Sequence, residues 1–178
     1  MVPLPGKSIY YVVRKTAEDD AYNVKFYDAV LLHLGAVDCL NILQGKDQYT
    51  SEHDIIFRYR DLVDEIRKHN PFCYIIFSAI LPFYEFRHSD LTLRINSMLE
   101  RYMSERYKVV VISAVNQFTF DYQVLEHLYS PLDHVHLNEE GVDILKKFFS
   151  QSISPQDLLN KYNSKRRKNL AKLLWWQV

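Results

Sequence analysis

Three apolar runs punctuate the chain: Tyr27-Asp-Ala-Val-Leu-Leu-His-Leu34, Phe72-Cys-Tyr-Ile-Ile-Phe-Ser-Ala79 and Tyr107-Lys-Val-Val-Val-Ile-Ser113. Each is short and nearly continuous, the pattern of a strand covered on both faces. Helical periodicity lies between them. The segment from Ser51 to His69 opens on Ser51 and Asp54, a capping-box spacing, and its apolar positions 55, 59, 62, 63 and 66 share one face. From Ser89 to Tyr107 a stripe runs through Leu91, Ile95, Met98, Leu99 and Tyr102. Asn138 is placed to cap a helix carrying Val142, Leu145, Phe148 and Phe149, and a further helical stretch covers Ser8 to Asp19. Strands alternating with helices predict an α/β domain with a doubly wound parallel sheet. Ser154-Pro-Gln-Asp157 marks one more helix start. The expected division is a domain over residues 1–152 and a basic C-terminal helical tail over 153–178.

Composition narrows the class. At 178 residues, with 48% hydrophobic and 25% charged positions, the chain is that of an ordinary globular domain. Its net charge of zero is a cancellation. Residues 161–178 hold six basic side chains and no acid, which leaves residues 1–160 at −6. Within that tail, Lys165, Arg166, Arg167 and Lys168 suit weak contact with a phosphate backbone or a nuclear-import receptor; a solvated terminal helix has the same composition. No apolar run approaches the roughly 20 residues of a membrane span, and no membrane partner is expected. The first residues lack the charged and apolar regions of a signal peptide. Cys39 and Cys73 lie in or beside apolar runs and read as buried thiols of a reducing compartment. These features predict an intracellular protein, cytoplasmic or nuclear.

In a parallel α/β sheet, chemistry gathers just past the carboxyl ends of the strands. The segments there are Gly35-Ala-Val-Asp38, Ile80-Leu-Pro82 and Ala114-Val-Asn116, with Leu132-Asp-His-Val-His-Leu-Asn138 before the last helix. Asp133 and His136 stand three apart. A loop of this length folds so that a carboxylate accepts from one imidazole nitrogen and leaves the other as a general base. Taken alone, the spacing also fits a helix-entry loop with a solvated histidine. His134 and His136 with Asp133 resemble half of a metal site, but no further Cys/His cluster accompanies them, and no metal or cofactor is expected.

The ordered set Leu32-His-Leu-Gly-Ala-Val-Asp38, Ile76-Phe-Ser-Ala-Ile-Leu-Pro82 and Asp133-His-Val-His-Leu-Asn-Glu-Glu-Gly141 resembles the SGNH (GDSL-like) hydrolase superfamily, most of all the small SGNH domains of animal retroelement-derived proteins, whose blocks usually read L-H-x-G-T-N-D, S-x-I-L-P-R and D-G-V-H-L-N-x-x-G. The resemblance covers about residues 2–150. It implies a flavodoxin-like sheet, ester hydrolysis, Asp133 and His136 as the acid and base of a Ser-His-Asp triad, Gly6 as an oxyanion N–H donor, and a substrate-side position for Val37 and Asp38. The Asp is expected to hydrogen-bond loop amides.

Two parts of that pattern are missing. Val37 stands where the family has an oxyanion Asn, and losing one such donor typically costs about 100- to 1,000-fold in rate. Only Met1-Val-Pro-Leu-Pro5 precedes Gly6, and its prolines exclude a central strand. The resemblance therefore implies an N-terminally truncated domain lacking the nucleophile strand, which in the family lies between the second and third strands, with Val2 to Leu4 a stub of the second. The strand at Ala29–Leu34 is then expected to expose an apolar edge prone to self-association. Three readings follow: a hydrolase-like domain inactive as it stands; an active ester hydrolase using Ser8, or a serine supplied by a partner, with Asp133 and His136; and a retroelement-derived scaffold that contacts nucleic acid through its basic tail.

Overall fold

A computed structural model describes residues 2–3, 7–18, 24–153 and 173–177. The Gly6 position, the helix start at Ser154 and the basic cluster at Lys165–Lys168 lie outside the described residues. The chain divides into two compact units: Met1–Ile80, Leu91–Ile112 and Lys172–Val178 form one, and Leu81–Asp90 with Ser113–Ala171 form the other.

The first unit is built on a five-stranded sheet. Its strands are β1 (Val2–Pro3), β2 (Ala29–His33), β3 (Tyr74–Ser78), β4 (Val109–Ile112) and β7 (Leu173–Gln177), in the order β1-β7-β2-β3-β4. Every neighbouring pair is parallel. Val30, Leu31 and Leu32 of β2 and Ile75, Ile76 and Phe77 of β3 are all buried, the consequence of strands covered on both faces. Helices α1 (Ile9–Glu18), α2 (Ala36–Leu43), α3 (Glu52–His69) and α4 (Leu91–Met103) complete the unit. The start of α3 carries the capping box read from the sequence: Ser51 Oγ accepts from Asp54 N–H, and the Asp54 carboxylate accepts from Ser51 N–H at 2.8 Å. Its buried face presents Ile55, Tyr59, Leu62 and Ile66.

Two expectations are corrected here. Residues 173–177, read as part of a helical tail, form a strand. They pair with β2 over Ala29–His33 and with β1 over Val2–Pro3. The edge of β2 expected to stand open is thereby closed. The physical reason is the same for both: an apolar strand buried on both faces leaves a row of N–H and C=O groups that must be satisfied, and Leu-Leu-Trp-Trp-Gln is a segment of suitable composition. β7 thus occupies the place between the second and third strands in which the resemblance puts the nucleophile strand.

The second unit holds β5 (Thr119–Phe120) and β6 (Gln123–Val124), an antiparallel hairpin, and helix α5 (Glu139–Ser152). Its interior contains Phe118, Leu128, Tyr129, Leu145 and Phe149, with Phe118 and Tyr129 in edge contact at 6.4 Å between ring centres. Asn138 caps α5 by accepting Gly141 N–H at 3.0 Å. No helix among the described residues is long and apolar enough to cross a membrane.

Candidate active site

In the second unit the loop from Leu128 to Asn138 is tied at its two ends. Ser130 N–H donates to His136 C=O at 2.7 Å, Asn138 N–H donates to Leu128 C=O at 3.0 Å, and Tyr129 and Leu137 form a bridge. Tyr129 Oη donates to Pro82 C=O at 2.5 Å, which fastens the loop to the last residue of the Ile80-Leu-Pro82 block. Gly141 is required at the first turn of α5. A Cβ there would stand 2.3 Å from Leu128 O.

Within this loop the structure joins Asp133 to His136. The Asp133 carboxylate accepts from Val135 N–H at 3.0 Å and from His136 N–H at 3.1 Å through Oδ1, while Oδ2 meets His136 Nδ1 at 2.5 Å. Partial burial raises the Asp133 carboxyl, but the hydrogen bonds from Val135 N–H, the His136 ring and His136 N–H outweigh it and bring the group down to about 2. It is therefore an anion throughout the neutral range and can only accept. That places a proton on Nδ1 of neutral His136 and a lone pair on Nε2. The His136 side chain is 75% exposed, so Nε2 is accessible to a proton donor. The pair is equipped to take a proton from a hydroxyl and to stabilise the imidazolium that results.

His134 sits between the two in left-handed backbone, with φ of +53°. The family block has Gly at this position. Among the described residues, no group of three or more His, Cys, Asp or Glu is arranged to hold a metal ion.

In the first unit, the strand exits carry a different set of contacts. Gly35 has φ of +98°, and a Cβ there would lie 2.5 Å from Tyr59 Oη and 2.7 Å from Ile80 Cδ1. Tyr59 Oη donates to Leu34 C=O at 2.7 Å. The amide of Asn96 grips Ile80 twice, accepting its N–H and donating to its C=O, both at 2.8 Å. Gly35-Ala-Val-Asp38, expected as a loop past β2, instead leads directly into α2, with Val37 partly exposed near its start. Asp38 is fully buried. Its carboxylate accepts Ile9 N–H at 3.0 Å and Arg58 Nη1 at 2.6 Å, so both oxygens serve the fold: one fixes the first turn of α1, the other pairs a guanidinium.

Ser8 stands just before α1, where its Oγ accepts Tyr11 N–H at 3.4 Å. Ser78 is buried at the end of β3 and contacts His33 Nδ1 at 3.0 Å; burial lowers His33 to about 4, so that ring is neutral at pH 7. Ser113 Oγ accepts Val115 N–H at 3.4 Å. Both thiols are buried, which pushes Cys73 up to about 12 and Cys39 higher. Arg58, Asn96 and the contact of His33 with Ser78 were not singled out from the sequence; Ser78 itself reads there as a strand-end serine that caps backbone groups or lines the cleft, and Tyr59 as one position of an apolar face. Arg58 and Tyr59 lie in an amphipathic helix whose pattern signals packing only. His33 and Ser78 share a register position that only the β2–β3 pairing defines.

No family model matches the chain, and no curated protein sequence matches it. Solved structures do. A carbohydrate esterase family 3 structure from Talaromyces cellulolyticus matches with a TM-score of 0.60 at 19% identity, covering 84% of this chain and 70% of the other. A mutant acetyl esterase holding an acetate ion matches with a TM-score of 0.61 at 18% identity, covering 83% and 70%. The fold is that of esterase-like hydrolases.

Proposed function

We propose that the chain, with Leu173–Gln177 as a strand of its sheet, forms an SGNH hydrolase-type domain that keeps the acid–base half of an ester-hydrolysing site and lacks a working nucleophile. The observation that carries this reading is the Asp133–His136 contact, in which a carboxylate held as an anion fixes the imidazole with Nε2 outward. The structural neighbours named as esterases support an ester as the substrate class. Ester hydrolysis by this route calls for no cofactor.

Two features weigh against turnover. Val37 carries an isopropyl group where the resemblance calls for an amide donor, and a hydrocarbon stabilises no developing oxyanion. The slot that the resemblance gives to the nucleophile strand is filled by Leu173–Gln177, a stretch with no hydroxyl or thiol side chain. Ser8 is the remaining hydroxyl beside the Gly6 block; its Oγ is engaged at the first turn of α1, and the strand before it, β1, is two residues long at the edge of the sheet. A buried strand is what normally holds such a nucleophile rigidly against its base.

The test is release of p-nitrophenol from p-nitrophenyl acetate by the parent and its His136→Ala variant. The expected result is an equal, background rate from both. A parental rate well above background that disappears in the variant would overturn the proposal and favour the active-hydrolase reading.

A further inference from the structure

β7 differs from the other strands of its sheet in how it is tied to the molecule. β2 and β3 are joined through α2 and α3, and β3 and β4 through α4, so each is bound covalently to helices of its own unit. β7 instead follows residues 154–172, a connection that lies outside the described residues and leads back to α5 of the second unit. Within the first unit it is held by strand pairing: with β2 from Ala29↔Leu173 to His33↔Gln177, and with β1 through Val2↔Trp176 and Pro3↔Gln177. Its exchange for an equivalent strand asks no helix of that unit to leave its place.

The slot between β1 and β2 has to be filled. Val30, Leu31 and Leu32 of β2 are buried, and a buried strand with unpaired N–H and C=O groups along one edge is costly. Whatever fills the slot is recognised through main-chain hydrogen bonds, which an extended segment of matching register can make. A second copy of this chain carries such a segment by identity. Charge favours the same occupant. Residues 161–178, which include β7, hold six basic side chains and no acid, while residues 1–160 carry a net −6, so the strand-bearing segment of one copy is attracted to the body of another. Length permits the exchange as well. A connection over 154–172 spans up to about 60 Å when extended. It is longer than most connections within a domain, and a connection of that length sets an effective concentration in cis of about 1 mM or less.

We infer that the slot between β1 and β2 accepts β7 from a second copy of this chain, and that two copies exchange this strand reciprocally to form a closed dimer. The strand of the second copy makes the same pairs as the chain's own. Cis and trans pairing therefore differ by effective concentration alone, and the exchanged form rises with protein concentration. Self-association of this kind needs no open edge on β2, and it does not depend on any ester chemistry.

The experiment uses two full-length variants, Ala29→Cys and Leu173→Cys, whose positions stand opposite each other in the β2–β7 pair, a spacing that a disulfide can bridge. Cys39 and Cys73 are buried and held as thiols, so they stay out of the reaction. The two variants are mixed in equal amounts, incubated, oxidised, and followed by non-reducing electrophoresis and intact mass. We expect a disulfide-linked dimer holding one copy of each variant at about 0.5 mM chain, with a yield at least tenfold lower at about 5 µM, and no such dimer from either variant alone. The double variant Ala29→Cys/Leu173→Cys should close on itself as a monomer at the lower concentration, which reports the strand seated in its slot. A double variant that closes while the concentrated mixture yields only monomers would overturn the inference. Mixed dimers no more abundant than the dimers of either variant alone would overturn it too. A double variant that does not close would contradict the β2–β7 pair on which the inference stands.

Discussion

Gly141→Ala is a perturbation whose size follows from coordinates at the candidate site. The added Cβ would lie 2.3 Å from Leu128 O and 3.3 Å from both Leu128 C and Leu137 Cβ. An ordinary contact needs about 3.4 Å or more, so something must move by about 1 Å. The neighbour is a carbonyl oxygen, not the tip of a flexible side chain. Leu128 is buried, and its C=O accepts Asn138 N–H at 3.0 Å. The helix cannot retreat freely either, because Gly141 N–H is held by the Asn138 cap at 3.0 Å. Overpacking of this kind costs about 1–3 kcal/mol, and loosening the cap adds about 1 kcal/mol. Alanine's greater helix propensity returns at most about 1 kcal/mol. The expected net loss is about 2 kcal/mol. In urea denaturation, with m of about 2 kcal/mol/M, the midpoint should fall by about 1 M. A variant as stable as the parent, or more so, would mean that propensity dominates and that Leu128 C=O does not face Gly141 as described.

Three further outcomes follow. His33, lowered by burial from 6.5 to about 4, has a folded value below its unfolded one, so the unfolded chain binds more protons between those limits; stability should fall as pH drops from 6.5 toward 4, by about 3 kcal/mol at most, and His33→Gln should flatten that slope in denaturation curves taken at pH 7, 6, 5 and 4. Asp38→Asn breaks a buried ion pair with Arg58 and should cost about 3 kcal/mol by chemical denaturation; a loss below about 1 kcal/mol would place the carboxylate in solvent instead. Val37→Asn, which restores an amide to the oxyanion position, should leave p-nitrophenyl acetate hydrolysis at background, since a donor without a nucleophile gives no acyl transfer.

Much of this was readable in the sequence wherever one local pattern decides the outcome. β2, β3 and β4 announced themselves because strands covered on both faces are nearly continuous in apolar residues, and their limits fall within two residues of the runs. α3 was fixed by Ser51 and Asp54 at one end and a single apolar face along its length. Asp133 and His136 are legible as neighbours because three residues of separation before a helix cap leave few ways to fold. What escaped depended on partners remote in sequence. α2 is not legible because its start, Gly35, offers no side-chain cap and the segment reads equally as a loop. β7 is not legible as a strand because Leu173–Gln177 is too short to declare a period; its identity as a strand comes from the edge of β2, more than 140 residues earlier. Asp38 carries an expected backbone amide, Ile9 N–H, on one oxygen; its other partner, Arg58, lies 20 residues on and has no local signal. His134 gave no local signal of a left-handed turn, since histidine there reads as an ordinary loop residue.

On the proposed function, His136 has a base's geometry but, among the described residues, no hydroxyl placed for it to activate. A fluorophosphonate probe reports this directly, because it bonds readily to a serine whose proton is being withdrawn. After incubation with the full chain, intact-mass measurement should show the unmodified mass, with Asp133→Ala and His136→Ala indistinguishable from the parent. A single adduct on a serine of the parent, absent from both variants, would contradict the account and identify the nucleophile.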